Sequence, residues 1–368
     1  MNILLLNWQD ITHPLGGGAE VHYHEIFKRI AARGHRVTLF ACSHAGAAPH
    51  EVVDGIDVIR KGARSTFNVE VYRKFRSRQA QEPFDIVVDD LNKIPFYTPL
   101  FIRKPLLTIV HHLFGPSIFR EASLPAALYV WGAERIALPV YRDGMFAAVS
   151  ESTKRELIRH GVDEKHIRLV MNAVDPSVYS PAPEQSETGP VVGYLGRIKQ
   201  YKSVDHLLRA FAIVLKKLPA ARLVVVGDGD ARPGLEKLAR HLGITGETTF
   251  TGFVDERAKV DYLRKCRIVA NPSAKEGWGL TVIEANACRV PVVAADVPGL
   301  KDSVVQGETG VLYPYGDISR LAAELIALLE NADKRETMAR KALEWSRRFT
   351  WDASADSMLG AMEETLAR

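Results

Sequence analysis

Short, wholly apolar runs recur along this chain, each leading into a loop and then a helical pattern. The first is 3–6, Ile-Leu-Leu-Leu, followed by Gly16, Gly17 and Gly18, an amphipathic stretch over 19–33, a stop at Gly34 and a second run at 36–41. That order is strand, glycine loop, helix, strand, a βαβ unit of the Rossmann type. Further runs stand at 85–88, 106–110, 146–149 and 167–170. Strands with no polar alternation must be covered on both faces, so the pattern predicts parallel sheets between layers of helix.

The texture breaks near residue 180, where 180–190 is rich in Pro, Ser and Glu without apolar periodicity. A second βα series follows, with strands expected at 191–195, 222–226, 248–251, 268–270, 290–294 and 311–312 and helices such as 203–217 and 280–288. The chain therefore reads as two Rossmann-like domains. They are 1–180 and 191–345, joined by a linker at 181–190. A helical tail, 346–368, is expected to pack back on the N-terminal domain. The class is α/β, with two parallel-sheet domains facing each other across a cleft, where open sheets bind ligands at their carboxyl ends.

The 368 residues suit two domains. Lys plus Arg number 48 against 44 Asp plus Glu, a surplus too small to argue for nucleic acid. Cys42, Cys266 and Cys288 form no Cys-x-x-Cys pair, which disfavours a zinc site or disulfide framework and fits a reducing compartment. No run approaches a membrane span, and the N-terminal apolar run is too short for a signal peptide. A cytoplasmic protein is expected.

The segment from Asn271 to Glu284 carries the most chemistry. A strand ends near Ala270, a loop holds Glu276, and a helix begins near Leu280. The backbone N–H groups of Gly277, Trp278, Gly279, Leu280 and Thr281 would meet a phosphate at the helix start. Glu276 is placed to accept hydrogen bonds from a sugar. Glu284, about one turn into the helix, could hold the vicinal diol of a ribose. A solvated loop with two surface glutamates is the plainer alternative.

Glu276 and Glu284, set in Pro-Ser-x-x-Glu-Gly-Trp-Gly-Leu-x-x-x-Glu-Ala, resemble the signature of retaining GT-B glycosyltransferases, family 4 (glycosyl transferases group 1). The resemblance extends over nearly the whole chain. It includes Gly16-Gly17-Gly18-Ala19-Glu20, the Gly-Arg…Lys segment from Tyr194 through Arg197 to Lys202, Val226-Gly227-Asp228-Gly229, and Asn172-Ala173-Val174-Asp175. Ala173 departs from the family's usual glycine. Arg197 and Lys202 follow a buried strand, where two fixed cations and a helix N-terminus would stabilise a departing diphosphate without a metal; Lys199 lies nearby. The glycines at 16–18 would let backbone approach the diphosphate or the acceptor, while Glu20 would cap the helix start. The resemblance places His111 against the donor sugar and the backbone at Phe253 and Val254 against the nucleobase.

Asp89, Asp90, Asn92 and Lys93 are candidates for an acceptor pocket or for a structural role; a carboxylate-pair metal site is not expected. From Arg60 to Arg78 the chain carries seven cations against Glu70 alone, with Phe67, Val71 and Phe75 at helical spacing. This is either a helix lying on an anionic membrane or a Rossmann helix with solvated cations. The expected activity is transfer of a hexose from a UDP- or GDP-sugar to a hydroxyl acceptor (a glycan, a lipid-linked or a small molecule) with retention at the anomeric carbon. No cofactor or metal is expected. The rivals are an epimerase or phosphorylase on the same scaffold, and a non-catalytic sugar-binding protein.

Overall fold

The computed structural model describes residues 1–91, 94–120, 123–182 and 189–368. The chain forms two compact units, 1–173 with 351–368, and 174–350.

The first unit is built on eight strands: β1 (Asn2–Leu6), β2 (Arg36–Ala41), β3 (His50–Val53), β4 (Ile56–Arg60), β5 (Ile86–Leu91), β6 (Leu106–Val110), β7 (Met145–Ala148) and β8 (Ile167–Leu169). Their order is β3-β4-β2-β1-β5-β6-β7-β8. Every pairing is parallel except the β3–β4 hairpin, which the apolar runs did not reveal. Asp54 and Gly55 make its turn, both at positive φ, the backbone a tight two-residue hairpin demands. Each central strand is buried on both faces, as its unbroken apolar sequence requires.

The basic stretch from Arg60 to Arg78 is not one helix. Arg60 ends β4, buried, with its Nε 2.6 Å from Asp10. The helix Phe67–Phe75 turns Phe67, Val71 and Phe75 into the core against Leu4, Phe40 and Val87, and leaves Arg73 in water. Its apolar face is spent on the sheet and is not offered to a bilayer.

The second unit carries six parallel strands: β9 (Val191–Leu195), β10 (Arg222–Val226), β11 (Thr248–Gly252), β12 (Ile268–Asn271), β13 (Val292–Ala295) and β14 (Gly310–Tyr313). The order is β11-β10-β9-β12-β13-β14, so sequence order reverses between β9 and β12. Open α/β sheets bind ligands at such a switch point, beyond the carboxyl ends of the strands.

The units change over earlier than the Pro-rich stretch suggests, between Ala173 and Val174 rather than at 181–190. The cause is side-chain anchoring. Arg264 donates to the Ser180 carbonyl and hydroxyl, both at 2.9 Å, and Tyr179 is buried among second-unit residues. The return falls at Trp351 rather than at 346. The helix Trp351–Leu366 joins the first unit against the helix Gly18–Ala32, with Arg33 paired to Asp356 and Ser354 donating to the Met171 carbonyl at 2.8 Å.

Candidate active site

In the second unit the loops after β9, β10 and β11 are laced together by main-chain hydrogen bonds. Gly196 N–H donates to the Val226 carbonyl at 3.0 Å, Ile198 N–H to that of Asp228 at 2.8 Å, and Gly227 N–H to that of Gly252 at 3.0 Å. Gly227 sits at φ +132, and a Cβ there would fall 2.0 Å from the Gly196 oxygen. Its role is thus structural: it seats the loop that carries Arg197, which is exposed at the carboxyl edge of the sheet.

Lys202 closes a short turn after β9 and reaches Glu276, Nζ to Oε1 2.6 Å. The same oxygen accepts the Ser273 hydroxyl at 2.8 Å. Burial alone would push the Lys202 ammonium down; the Glu276 carboxylate overrides it and holds the group above the usual lysine value. Two residues separated by 74 positions therefore form one half-buried charged pair at the rim of the sheet.

Glu276 is fixed from behind. Gly299, at φ +84, lets its loop press on the main chain, since a Cβ there would lie 2.3 Å from the Glu276 carbonyl oxygen. The helix Leu280–Ala287 then starts from Gly279, also at positive φ, with no side chain capping it. Its first N–H groups keep their capacity for an anion. Leu280 and Thr281 are partly exposed there. The Trp278 indole is buried edge-on against Phe349, ring centres 5.1 Å apart, so its backbone N–H is the group left to meet a ligand.

Glu284, one turn into that helix, is 4% exposed. Its Oε1 accepts Lys259 Nζ at 2.6 Å and the Tyr179 hydroxyl at 3.1 Å. Its Oε2 is buried with no hydrogen-bond partner. A buried carboxylate oxygen left open is costly unless a ligand hydroxyl fills it. Lys259 and Tyr179 were not singled out from sequence; neither falls in a motif, and only the fold brings them to Glu284. Beyond β11, Phe253 is 85% exposed and Val254 half-buried.

In the first unit the glycine loop has ordinary backbone: none of Gly16, Gly17 and Gly18 has positive φ. Gly18 has open space where a Cβ would be, so strain does not demand glycine there. Glu20 accepts the Gly17 N–H at 2.6 Å and so caps the helix start. Beside the loop, buried Asp10 holds Thr12 and also Arg60, which stands fifty positions further along the sequence.

Alternation along β5 sends Asp89 and Asp90 to opposite faces. Asp89 is locked inside, accepting the hydroxyls of Thr98 and of Tyr141 (2.6 Å), and burial pushes its carboxyl up to about 6. These two bonds engage Oδ2 and give Asp89 a structural role, while its Oδ1 is buried without a hydrogen-bond partner. Asp90, also buried, lies 3.1 Å from His111 Nε2. Burial would push His111 down, but the Asp90 carboxylate holds it above the usual histidine value. Asn92 and Lys93 lie outside the described residues. Among the described residues no cluster of three or more His, Cys, Asp or Glu could hold a metal ion.

Residues 179–345 match the family described as Glycosyl transferases group 1, and residues 16–178 match Glycosyltransferase Family 4. The chain is 33% identical to a D-inositol 3-phosphate glycosyltransferase of Nocardia farcinica, over 95% of this chain and 85% of that one. It is 28% identical to one from Kribbella flavida, over 95% and 92%. Sucrose-phosphate synthase from Thermosynechococcus elongatus superposes with a TM-score of 0.84 at 22% identity, covering 100% of this chain and 99% of that one. HepE of Anabaena, solved in complex with UDP-glucose, gives 0.78 at 21% identity, over 100% and 99%. The two parallel-sheet units and the two family matches agree: the chain belongs to the GT-B glycosyltransferases of family 4, glycosyl transferases group 1.

Proposed function

We propose that the protein moves a hexose from a nucleotide-diphosphate sugar to a hydroxyl acceptor, with retention and without a metal ion. The observation that carries the donor assignment is the open, buried Glu284 Oε2 one turn beyond an uncapped helix start. A ribose hydroxyl donating to Glu284 would set the diphosphate against the first turn of that helix, near Lys202 and Arg197. Uridine is the base we favour, because HepE was solved with UDP-glucose.

In this reading the bond from the sugar's anomeric carbon to the diphosphate oxygen breaks, and the electron pair leaves with the diphosphate. Arg197, Lys202 and the helix N–H groups stabilise the growing negative charge. The acceptor oxygen bonds to the anomeric carbon on the face the diphosphate leaves, and its proton passes to a departing phosphate oxygen. Glu276 holds Lys202 in place and offers its remaining oxygen to the hexose. His111, oriented by Asp90, is assigned to a sugar hydroxyl. The relatives' names make a polyol phosphate a reasonable first acceptor to test.

Peripheral contact with an anionic membrane is proposed through a different helix from the basic stretch. No helix among the described residues is long and apolar enough to cross a membrane. The helix Leu124–Tyr141, however, exposes Leu124, Leu128, Tyr129 and Ile136 by half or more. Its one acid, Glu134, is turned inward to accept the N–H groups of Phe114 and Gly115, so Arg135 is the charge left outside. Exposed apolar side chains beside a cation suit an anionic lipid surface. Vesicle sedimentation with a Leu128→Ser/Ile136→Ser variant tests it.

The donor reading is tested by titrating UDP, GDP and ADP and by assaying hydrolysis of their glucose conjugates. Binding and turnover with one conjugate support it; no binding to any overturns it. Proton NMR of the product's anomeric coupling decides retention.

A further inference from the structure

Two carboxylates compete for one hydroxyl beside the open oxygen of Glu284. The Tyr179 hydroxyl oxygen lies 3.1 Å from Glu284 Oε1 and 3.1 Å from Glu256 Oε1. Lys259 Nζ completes the group, 3.0 Å from the Tyr179 oxygen and 2.6 Å from Glu284 Oε1. These residues all belong to the second unit. Tyr179 follows the changeover at 173–174, Glu256 and Lys259 stand a turn apart on the helix Glu256–Lys265, and Glu284 is on the helix Leu280–Ala287.

The Tyr179 phenol has a single proton to give. Burial and the Glu284 and Glu256 carboxylates hold it above the ordinary tyrosine value, so it stays a donor. Its oxygen already accepts Lys259, and its O–H can serve one carboxylate at a time. The two choices leave Glu284 with different capacity. With the O–H on Glu284, Oε1 holds both Lys259 and Tyr179 and its lone pairs are used, so Oε2 alone is left for a ligand. With the O–H on Glu256, Oε1 keeps a lone pair, and each oxygen of the carboxylate can take a hydroxyl. A vicinal diol, with two adjacent hydroxyls to donate, needs the second arrangement.

Glu256 is free for this task. Asp255 caps the helix, its side chain accepting the Ala258 N–H at 2.8 Å, so the helix start does not depend on Glu256. Among the described residues, Tyr179 is the hydrogen-bond partner of the Glu256 side chain. Glu284 by contrast is buried, with Oε2 open, so an incoming donor is what completes it.

We propose that Glu256 is a positioning residue for the nucleotide: it draws the Tyr179 proton to itself and so frees Glu284 Oε1, letting that carboxylate hold both hydroxyls of a ribose. The inference rests on the reading of Glu284 as the ribose ligand. Glu256 acts through Tyr179 and needs no contact with the ligand. Lys259 stays on Oε1 in both arrangements and keeps the carboxylate in place.

The experiment is calorimetric titration of the full chain with UDP, 2′-deoxy-UDP and 3′-deoxy-UDP. Wild type is compared with Glu256→Gln, Tyr179→Phe and the double variant. Glutamine keeps the shape of Glu256 but is neutral, and so accepts the Tyr179 proton more weakly than Glu284 does. Wild type should bind UDP about tenfold more tightly than either analogue, the weight of a hydrogen bond to a charged group. In Glu256→Gln the affinity for UDP should fall about tenfold. Its preference over one analogue should shrink to within about twofold while its preference over the other persists. In Tyr179→Phe no hydroxyl competes for Oε1, so adding Glu256→Gln should change UDP affinity by less than about twofold. Melting temperatures confirm that each variant is folded. Unchanged UDP affinity in Glu256→Gln overturns the proposal. So does an equal loss for all three nucleotides, which marks a structural pin, or an effect of the same size with and without the Tyr179 hydroxyl, which marks simple charge. Failure of the ribose reading looks different: wild type then binds all three nucleotides alike, or none, and the proposal falls with it.

Discussion

Lys202 Nζ lies 2.6 Å from Glu276 Oε1, although 74 positions separate them. The pair makes each residue's variant informative about the other. Lys202→Ala removes a cation from the proposed diphosphate site and leaves Glu276 without its partner. Turnover should fall about 10²–10³-fold, the cost of one preorganised electrostatic contact. Lys202→Arg should recover part of it. Initial rates with the donor, and melting temperature as a control, check this; near wild-type turnover in Lys202→Ala would sink the assignment.

Glu284→Gln should weaken nucleoside diphosphate binding about ten- to a hundredfold, the weight of a hydrogen bond to a charged group. Glu276→Gln should leave that affinity nearly unchanged and harm transfer. Titrating UDP into both variants separates the roles. Loss of affinity in Glu276→Gln alone would mean that they had been exchanged. Lys259→Met should mimic Glu284→Gln in part, because Lys259 fixes the carboxylate from behind.

Two glycines near each other in sequence should respond to alanine with opposite signs. At Gly227 a Cβ would fall 2.0 Å from the Gly196 oxygen, at φ +132. Gly227→Ala should destabilise by about 2–4 kcal/mol and displace Arg197. Gly234 lies in the helix Arg232–His241 with nothing within 4 Å of its added Cβ. Gly234→Ala should stabilise by about 0.5–1 kcal/mol. Chemical denaturation of both variants decides.

The sheets were legible because buried parallel strands leave unbroken apolar runs, as at β1, β9 and β13. The β3–β4 hairpin was not, because its strands are not unbroken apolar runs: exposed His50 and half-buried Glu51 open β3, and Asp57 interrupts β4. Glu276, Glu284, Arg197 and Lys202 could be singled out because each follows a strand end or a glycine turn. Their partners could not. Nothing local marks Lys259 or Tyr179 as neighbours of Glu284, and nothing marks Asp10 as the counter-ion of Arg60. Trp278 shows the converse: a residue inside a functional motif whose side chain the fold uses as core.

Activity should survive a chelator. The proposal rests on Arg197, Lys202 and the start of the helix Leu280–Ala287 meeting the diphosphate charge. Assay with excess EDTA, then with added magnesium or manganese, is the check. Rates within about twofold throughout are expected, as for a site whose charge stabilisation comes from protein groups. Complete loss restored by metal would reject the reading.

The His111–Asp90 pair should be visible in pH dependence. Asp90, 3.1 Å away, holds the imidazole above its ordinary value of about 6.5, while buried His22, against the same ring, is pushed down to about 3. The signs differ. The His111 contribution is present below the unfolded histidine value and lost as pH rises through the raised one. The His22 effect runs oppositely: stability is lost as pH falls from the unfolded value toward about 3. Asp89, raised to about 6, loses stability as pH climbs toward that value. Asp90→Asn acts on the pair directly, whereas His22 and Asp89 remain in both proteins and feel it only through the smaller effects of the His111 and Asp90 charges. NMR titration should show the His111 resonance moving to lower pKa in Asp90→Asn. The stability gap between wild type and variant should be widest below about pH 6.5 and narrow above it. A His111 titration unchanged by Asp90→Asn, or a gap that widens with pH, would show that Asp90 does not govern the imidazole.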